Sequence, residues 1–315
     1  MHVPSVSIGM PVYNGAKYIR VALDSILQQD YSDFELIISD NASTDETASI
    51  CLQYAATDGR IRYFRNESNV GAAKNYQKVF QLARSKLFKW ATHDDIQLPG
   101  FLRRCVEVIE KAPPSVVLVA PKTEIIDEEG KKIAEDWYVE SIHTRHARPH
   151  RRVADVLLNV DWATAQFGLF RTEALRKTRL IDNFVACDYV LLLEVAILGE
   201  IWEIPEIMFQ RRYHSEISTR VNRTQAEFLQ WFDPSQKAKC VFFPRMRSGL
   251  KPRMRLGLEY ARSIWRMPIP NSERVLCTFA ALFIWTARES KRLGREYKGS
   301  LQNKLTKALA VFRDG

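Results

Sequence analysis

Short apolar runs alternate with amphipathic segments along the first third of the chain. The runs are four to seven residues long and rich in β-branched or aromatic side chains, as in strands that are covered on both faces. They lie at residues 6–10, 34–39, 61–64, 86–92 and 116–120.

The segments between these runs have helical spacing. Ile19, Leu23 and Ile26 fall on one helix face, and residues 71–84 predict a second helix. Ser43 and Glu46 have the spacing of a capping box, which predicts a helix start there. Pro99 suits the first turn of a further helix. This alternation predicts an α/β fold with a mostly parallel sheet flanked by helices.

The middle of the chain continues with mixed elements. We expect a charged hairpin turn at 124–132 and a loop at 135–152, followed by the remaining elements in chain order. These are a helix at 154–160, a strand at 167–171, a helix at 188–198 and a strand at 201–213.

Positive charge is concentrated at the C-terminal end. The formal net charge of the chain is +9, but residues 237–315 hold 18 lysines and arginines against 5 acidic residues, so the rest is net negative. The apolar run at 275–287 is shorter than the roughly 20 residues that a membrane-spanning helix needs. We therefore expect residues 236–315 to form a basic, amphipathic helical extension. It would contact a membrane surface, pack on the preceding domain or form a homodimer contact.

The cysteines and the N-terminus indicate a cytoplasmic protein, with the membrane contact, if any, on the inner face. Five scattered cysteines without a Cys-x-x-Cys pair are not typical of a disulfide framework or a zinc ribbon. The first residues enter a strand-like run at once, without the pattern of a signal peptide.

Polar residues follow several predicted strands, at the edge of a parallel sheet where ligands bind. Tyr13 and Asn14 follow the first strand and Asp40 follows the second. Asp94 and Asp95 follow the strand at 86–92 and offer the oxygen ligands that Mg²⁺ and Mn²⁺ prefer. Alternatives stay open: Asp94 and Asp95 suit the approach to a helix, Asp40 an Asx-turn, and Tyr13 simple packing.

Three further positions carry possible chemistry. Lys74 would reach a phosphate from a helix N-terminus or remain a solvated surface lysine. Asp188 precedes an apolar helix, either as its N-cap or as a general base on a rigid element. The strand at 201–213 ends in cations that could meet a diphosphate, namely Arg211, Arg212 and His214.

Taken together, these segments resemble the family 2 glycosyltransferases, which have the GT-A fold. The resemblance spans about residues 5–220 and rests on four motifs in family order. They are V-S-I-G-M-P-V-Y-N-G at 6–15, F-E-L-I-I-S-D-N-A-S-T-D at 34–45, N-V-G at 69–71 through Asn75, and K-W-A-T-H-D-D-I-Q-L-P at 89–99.

The resemblance implies a role for each matching residue. Asp188 matches the catalytic base, and Asp94 matches the metal-binding aspartate, with Asp95 and His214 as further ligands of Mn²⁺ or Mg²⁺. Thr92 and Cys187 depart from positions that are often acidic in the family. The resemblance places Pro11, Tyr13, Asp40 and Lys74 at the nucleotide of the sugar donor, and we expect Asn14, Asn75, His93, Asp94, Arg211 and Arg212 as further donor contacts.

The resemblance also implies domains and an activity. Residues 1–235 would form the glycosyltransferase domain, with a nucleotide-binding half at about 1–122 and an acceptor half at about 123–235. The expected reaction is inverting hexosyl transfer to a saccharide or lipid-linked acceptor, in polysaccharide or glycolipid assembly. The rivals are a nucleotide-sugar-binding pseudoenzyme and a basic protein that binds nucleic acid or a membrane. Nucleic acid is not expected as a partner, because the excess positive charge is confined to the C-terminal part.

Overall fold

The strands β1 (Val6–Val12) and β2 (Phe34–Asp40) are buried along their whole length. Both consist mostly of apolar residues and lie in the interior of the sheet, where helices cover the two faces. A computed structural model describes residues 2–133, 140–217, 225–235 and 252–311.

One eight-stranded sheet organises the chain, in the order β3-β2-β1-β4-β7-β6-β8-β5. The pairs among β3, β2, β1 and β4, and the pair β6–β8, are parallel, whereas β7 is antiparallel to both its neighbours and β5 is antiparallel to β8. The remaining strands are β3 (Ile61–Arg65), β4 (Leu87–Trp90), β5 (Ile96–Gln97), β6 (Val116–Ile126), β7 (Leu169–Arg171) and β8 (Glu200–Arg212).

Helices connect these strands and turn their apolar faces to the sheet, as in α4, which buries Phe101, Cys105 and Ile109. A short 3₁₀ helix at Thr164–Phe167 precedes β7. The helices are α1 (Ile19–Leu27), α2 (Thr47–Thr57), α3 (Ala72–Gln81), α4 (Phe101–Lys111), α5 (Pro149–Asn159), α6 (Thr172–Leu175), α7 (Cys187–Leu198), α8 (Gln225–Phe232), α9 (Pro252–Arg266) and α10 (Asn271–Val311).

The predicted α/β fold is confirmed, and local details differ. The turn around Gly130 is present, with Ile126 bridged to Lys132. The capping box is wrong: α2 begins at Thr47 without a side-chain cap, and the hydroxyl of Ser43 instead accepts the backbone N–H of Asn14. The predicted loop at 135–152 falls partly on residues 134–139, outside the described residues, and α5 begins within its end.

The C-terminal helices pack on the domain rather than standing apart from it. α10 lies against α5 and α9, and α9 also contacts α7. Their inner faces bury Tyr260, Ile264, Cys277 and Ile284, which join the hydrophobic core. Among the described residues, no helix combines the length and apolar character needed to cross a bilayer.

A lysine is buried within the core next to the predicted site. The side chain of Lys89 in β4 is fully buried, its Nζ donates to the carbonyl of Trp90 at 3.1 Å and lies 4.7 Å from the centre of the Phe101 ring. Burial disfavours the charged form and lowers the pKa of Lys89 to about 7. The folded state therefore holds this amine neutral above pH 7, and the unfavourable burial of the charged form lowers stability.

We expect Lys89→Met to raise the free energy of unfolding, because methionine fills a similar volume without a charge to desolvate. Between pH 7 and 10 the unfolded wild type binds a proton that the folded state does not, so wild-type stability should rise with pH, by up to about 1.4 kcal/mol per unit. Urea denaturation across this range should show that slope reduced in Lys89→Met. It should be retained in Lys86→Met, which changes an exposed lysine. If stability rose with pH at the same slope in both variants, Lys89 would not be the group that causes this pH dependence.

Candidate active site

The loops after β1 and β2 are fastened to each other by backbone-to-side-chain hydrogen bonds. Asn14 adopts a left-handed conformation with φ 50°, and its Oδ1 accepts the backbone N–H of Thr44 at 2.8 Å. Gly15 donates to Thr47 Oγ1 at 2.8 Å. Pro11 is buried in β1, whereas Tyr13 is 41% exposed and is thus available to a ligand.

A glycine lets a third loop join these two. A Cβ atom on Gly15 would lie only 2.6 Å from the ring of His93, so a larger residue would push apart the loops that follow β1 and β4. The carboxyl ends of β1 and β4 therefore lie at one edge of the sheet, as the sequence predicted, and the loops that follow them are in contact.

Asp40 lies at the same edge but is fully buried. Its Oδ1 accepts the backbone N–H of Ser43 at 2.8 Å, its Oδ2 accepts the hydroxyl of Tyr63 at 2.8 Å, and Arg65 Nε lies 3.8 Å away. Burial and the adjacent carboxylate raise the pKa of Tyr63. The turn-forming alternative for Asp40 is thus what the structure contains, and its contact with a nucleobase stays a prediction.

The two predicted donor contacts on α3 differ in accessibility. Lys74 is exposed in the first turn of the helix. Asn75 is 2% exposed, and its amide donates to the carbonyl of Ser39 and accepts from Ser39 Oγ and Asn66 Nδ2. The side chain of Asn75 thus fastens β2 to α3, and its contact with the donor stays a prediction.

Asp94 and His214 form a pair between the loop after β4 and the end of β8. The Nε2 of His214 lies 3.0 Å from Asp94 Oδ2, and the Asp94 side chain is 16% exposed. The backbone N–H of Glu216 points at Nδ1 of His214 at 3.3 Å. Since Nδ1 accepts, Nε2 carries the proton and donates it to the carboxylate of Asp94.

Asp95 is held by hydrogen bonds to Thr92 and to the backbone of Arg212. Its carboxylate accepts the hydroxyl of Thr92 at 2.5 Å and the backbone N–H of Arg212 at 2.9 Å. Burial and the charge of Asp94 raise the pKa of Asp95. Burial would also raise the pKa of Asp94, but the charge of His93 and the hydrogen bond from His214 outweigh it and lower that pKa. The pair therefore favours a negative charge on Asp94.

Arg211 and Arg212 have different roles, although both were predicted to meet a diphosphate. Arg212 is 5% exposed and donates to the carbonyls of Asp94, Asp127 and Glu128, so it holds these loops together, and its contact with a diphosphate stays a prediction. Arg211 is half-buried and donates to the carbonyl of Trp162 at 2.7 Å, with its guanidinium 4.9 Å from the Trp162 ring centre.

Asp188 lies in the first turn of α7, near the guanidinium of Arg211. Burial raises the pKa of Asp188 to about 6, and the nearby Arg211 opposes that rise. Arg211 also opposes the rise in the pKa of Asp95, so one guanidinium lies within electrostatic reach of both acidic positions. Asp188 accepts a local hydrogen bond from the backbone N–H of Tyr189, at 3.0 Å. An ionised Asp188 above pH 6 is thus a group that can accept a proton.

Glu140 holds the segment that positions Arg211, and the sequence did not predict it. Its two carboxylate oxygens accept the backbone N–H groups of residues 161–164 and the hydroxyl of Thr164, at 2.6–2.8 Å. Ala163 has φ 53°, a left-handed conformation within this turn. Nothing in the spacing of the sequence signals this contact, because Glu140 lies 21 to 24 residues before its partners.

The donor set for a metal ion is small. Within the part of the chain that the structure describes, no three His, Cys, Asp or Glu side chains are grouped to hold a metal ion. Asp94 and His214 offer two donors, and Asp95 is already engaged. This set suits Mg²⁺ or Mn²⁺ only together with ligand oxygens, as is usual for ions that bind between one or two carboxylates and phosphates.

The chain is similar to known glycosyltransferases in sequence. The family model "Glycosyl transferase family 2" matches residues 7–179. An uncharacterized glycosyltransferase of Rickettsia typhi is 35% identical over 234 residues, covering 71% of this chain and 69% of that protein. One of Rickettsia felis is 35% identical over 236 residues, and this chain spans only 35% of its length.

Solved structures of low identity share the fold. S. aureus TarS (residues 1–349) in complex with UDP-GlcNAc has a TM-score of 0.55 at 16% identity, covering 92% of each chain. The mannosyltransferase PcManGT of Pyrobaculum calidifontis, in complex with GDP-Man and Mn²⁺, has a TM-score of 0.50 at 16% identity, covering 91% of this chain and 87% of that one. These similarities show the GT-A fold for this chain.

We expect Glu140→Ala to lower the free energy of unfolding by about 2–4 kcal/mol, because it leaves several half-buried N–H donors without an acceptor. Urea denaturation measures this loss. Glu110→Ala, at an exposed position of α4, is the matched control and should change stability little. Equal stabilities for the two variants would show that residues 161–164 do not depend on the carboxylate.

Proposed function

The chain belongs to glycosyltransferase family 2, and we propose that it transfers a hexosyl group from a nucleotide-diphosphate sugar to an acceptor hydroxyl with inversion at the anomeric carbon. The observation that carries this proposal is that one arginine, Arg211, acts electrostatically on both acidic parts of the site. Asp94 and Asp188 come from distant parts of the chain, and Arg211 from β8 lies within electrostatic reach of Asp188 and of the neighbour of Asp94.

Asp188 is the proposed general base. Its pKa of about 6 leaves it ionised at neutral pH yet basic enough to take the proton of an attacking hydroxyl. The hydroxyl oxygen forms the new bond to the anomeric carbon while the bond to the diphosphate breaks, so a single displacement inverts the configuration. Arg211 carries positive charge beside this path and would stabilise the charge that develops on the leaving diphosphate.

The donor would lie along the edge formed by the loops after β1, β2 and β4. The exposed Tyr13 and Lys74 and the half-buried His93 are accessible to a nucleotide there. Two proteins that share the fold bind nucleotide sugars, UDP-GlcNAc in one and GDP-Man in the other, which supports a donor of this class.

A divalent cation fits this proposal through Asp94. The carboxylate is partly exposed and its pKa is lowered, so it is charged and available as a ligand. His214 would bind an ion through Nε2 only if its proton moved to Nδ1, which would break the hydrogen bonds to Asp94 and from Glu216. A Mn²⁺ or Mg²⁺ ion held there, with diphosphate oxygens completing its coordination, would supply charge neutralisation for the leaving group.

Asp188→Asn should reduce kcat about 10²–10⁴-fold, because the amide cannot accept the proton. Donor binding, followed by thermal shift, should change little. In the wild type, kcat/KM should fall as the pH is lowered through about 6, because protonation of Asp188 removes the base. Asp30→Asn, at an exposed ion pair with Arg103, serves as the control. Lost donor binding in Asp188→Asn would instead identify Asp188 as a donor contact.

The melting temperature of the protein should be measured with UDP-, GDP-, dTDP- and CDP-sugars, with and without Mn²⁺. We expect sugars of one nucleotide class to raise it. Saturation to a hundred times Kd stabilises a protein by about 2.7 kcal/mol. The part of the shift that depends on Mn²⁺ should disappear in Asp94→Asn and persist in Asp30→Asn. If no donor raises the melting temperature under either condition, the proposed activity is wrong.

A further inference from the structure

The helices α9 and α10 form a hairpin with one side fixed to the protein. Arg288 of α10 donates to the carbonyls of Leu157 and Val160 at the end of α5. Glu273, near the start of α10, accepts from Arg148 and lies 2.9 Å from the ring nitrogen of His150. These contacts at two levels set which side of α10 faces inward, and they fix its rotation about its own axis.

The opposite side of α10 is apolar and exposed. Phe279 is 70% exposed and Phe283 64%, and their rings stack at 6.1 Å with an angle of 13° between the planes. Their neighbours on this side follow the three- and four-residue spacing of a helix face. We name this surface the outer face; it comprises Val275, Leu276, Phe279, Leu282 and Phe283.

Exposed apolar surface of this kind marks a contact site, and the net charge of this part of the sequence indicates the chemistry of its partner. Residues 237–315 carry 18 basic and 5 acidic side chains. A wide groove beside α9 is lined by Arg179, which precedes α7, and by Arg255, Glu259, Arg262, Trp265 and Arg266 of α9. Arg262 is 68% exposed and Trp265 51%. Large apolar side chains next to excess arginine are typical of helices that lie on anionic bilayers.

We propose that the α9–α10 hairpin docks on the surface of an anionic membrane. The outer face enters the boundary between headgroups and acyl chains, and the arginines meet lipid phosphates. A second copy of this chain fits less well, because it would bring an equally basic hairpin against this one. The hairpin lies on the surface instead of crossing the bilayer, in keeping with the absence of a spanning helix among the described residues. This contact goes beyond sugar transfer and does not depend on it.

The test is flotation of the full-length protein with vesicles of phosphatidylcholine alone or mixed with phosphatidylglycerol, at low and high salt. The wild type should float with the mixed vesicles at low salt and much less with phosphatidylcholine or at high salt. Phe279→Glu combined with Phe283→Glu should weaken binding to mixed vesicles about tenfold or more, since it removes apolar area that the membrane would bury.

A matched double variant changes exposed apolar residues elsewhere. Val21→Glu with Leu52→Glu alters α1 and α2, which are remote in sequence from the hairpin, and should float like the wild type. Equal melting temperatures for the two double variants confirm that each is folded. Vesicle binding that is absent in the wild type, or equal in both variants, overturns the proposal. A dimer in light scattering that dissociates in Phe279→Glu/Phe283→Glu, without vesicle binding, would assign the outer face to a second copy.

Discussion

The attachment of the end of β8 to the loop after β4 is the constraint on which the site depends. Arg212 donates its backbone N–H to Asp95 and its guanidinium to three carbonyls, of which Asp94 supplies one. His214 adds a contact to the carboxylate of Asp94. The bonds to Asp94 and Asp95 join residues 117 to 120 positions apart in sequence, so the acidic loop has its place only once β8 has paired with β5 and β6.

The alternation of side chains along β8 separates two arginines that are neighbours in sequence. Successive residues of a strand point to opposite sides, so Arg212 turns to the backbone of the loops while Arg211 turns to Trp162 and the acidic groups. A buried guanidinium is tolerated when its donors are satisfied, and Arg212 meets this condition with carbonyl oxygens. Arg212 thus holds the loops of the site together, whereas Arg211 places positive charge beside the acidic groups.

The periodicity of the sequence was sufficient to predict the α/β architecture. It was not sufficient to predict several of the contacts that form the site. Continuous apolar runs predicted buried strands, and the alternation with helices predicted the parallel half of the sheet, because both depend on local pattern. The antiparallel placement of β7 depends on tertiary pairing, which three residues cannot encode. The family resemblance indicated Asp94 and Asp188, and the end of a predicted strand indicated Arg211, whereas Glu140 accepts backbone N–H groups that no motif marks.

The departure of this chain from the usual acidic motif has a physical consequence. Thr92 stands where a first aspartate is frequent in the family, and its hydroxyl donates to Asp95. A carboxylate at this position would place a third negative charge beside Asp94 and Asp95, in a buried region where charge is costly. With threonine, Asp95 is held as an acceptor for Thr92 and the backbone of Arg212, and Asp94 keeps the charge. Any cation at this edge would therefore depend on a single carboxylate and on the oxygens of its substrate, which couples metal binding to donor binding.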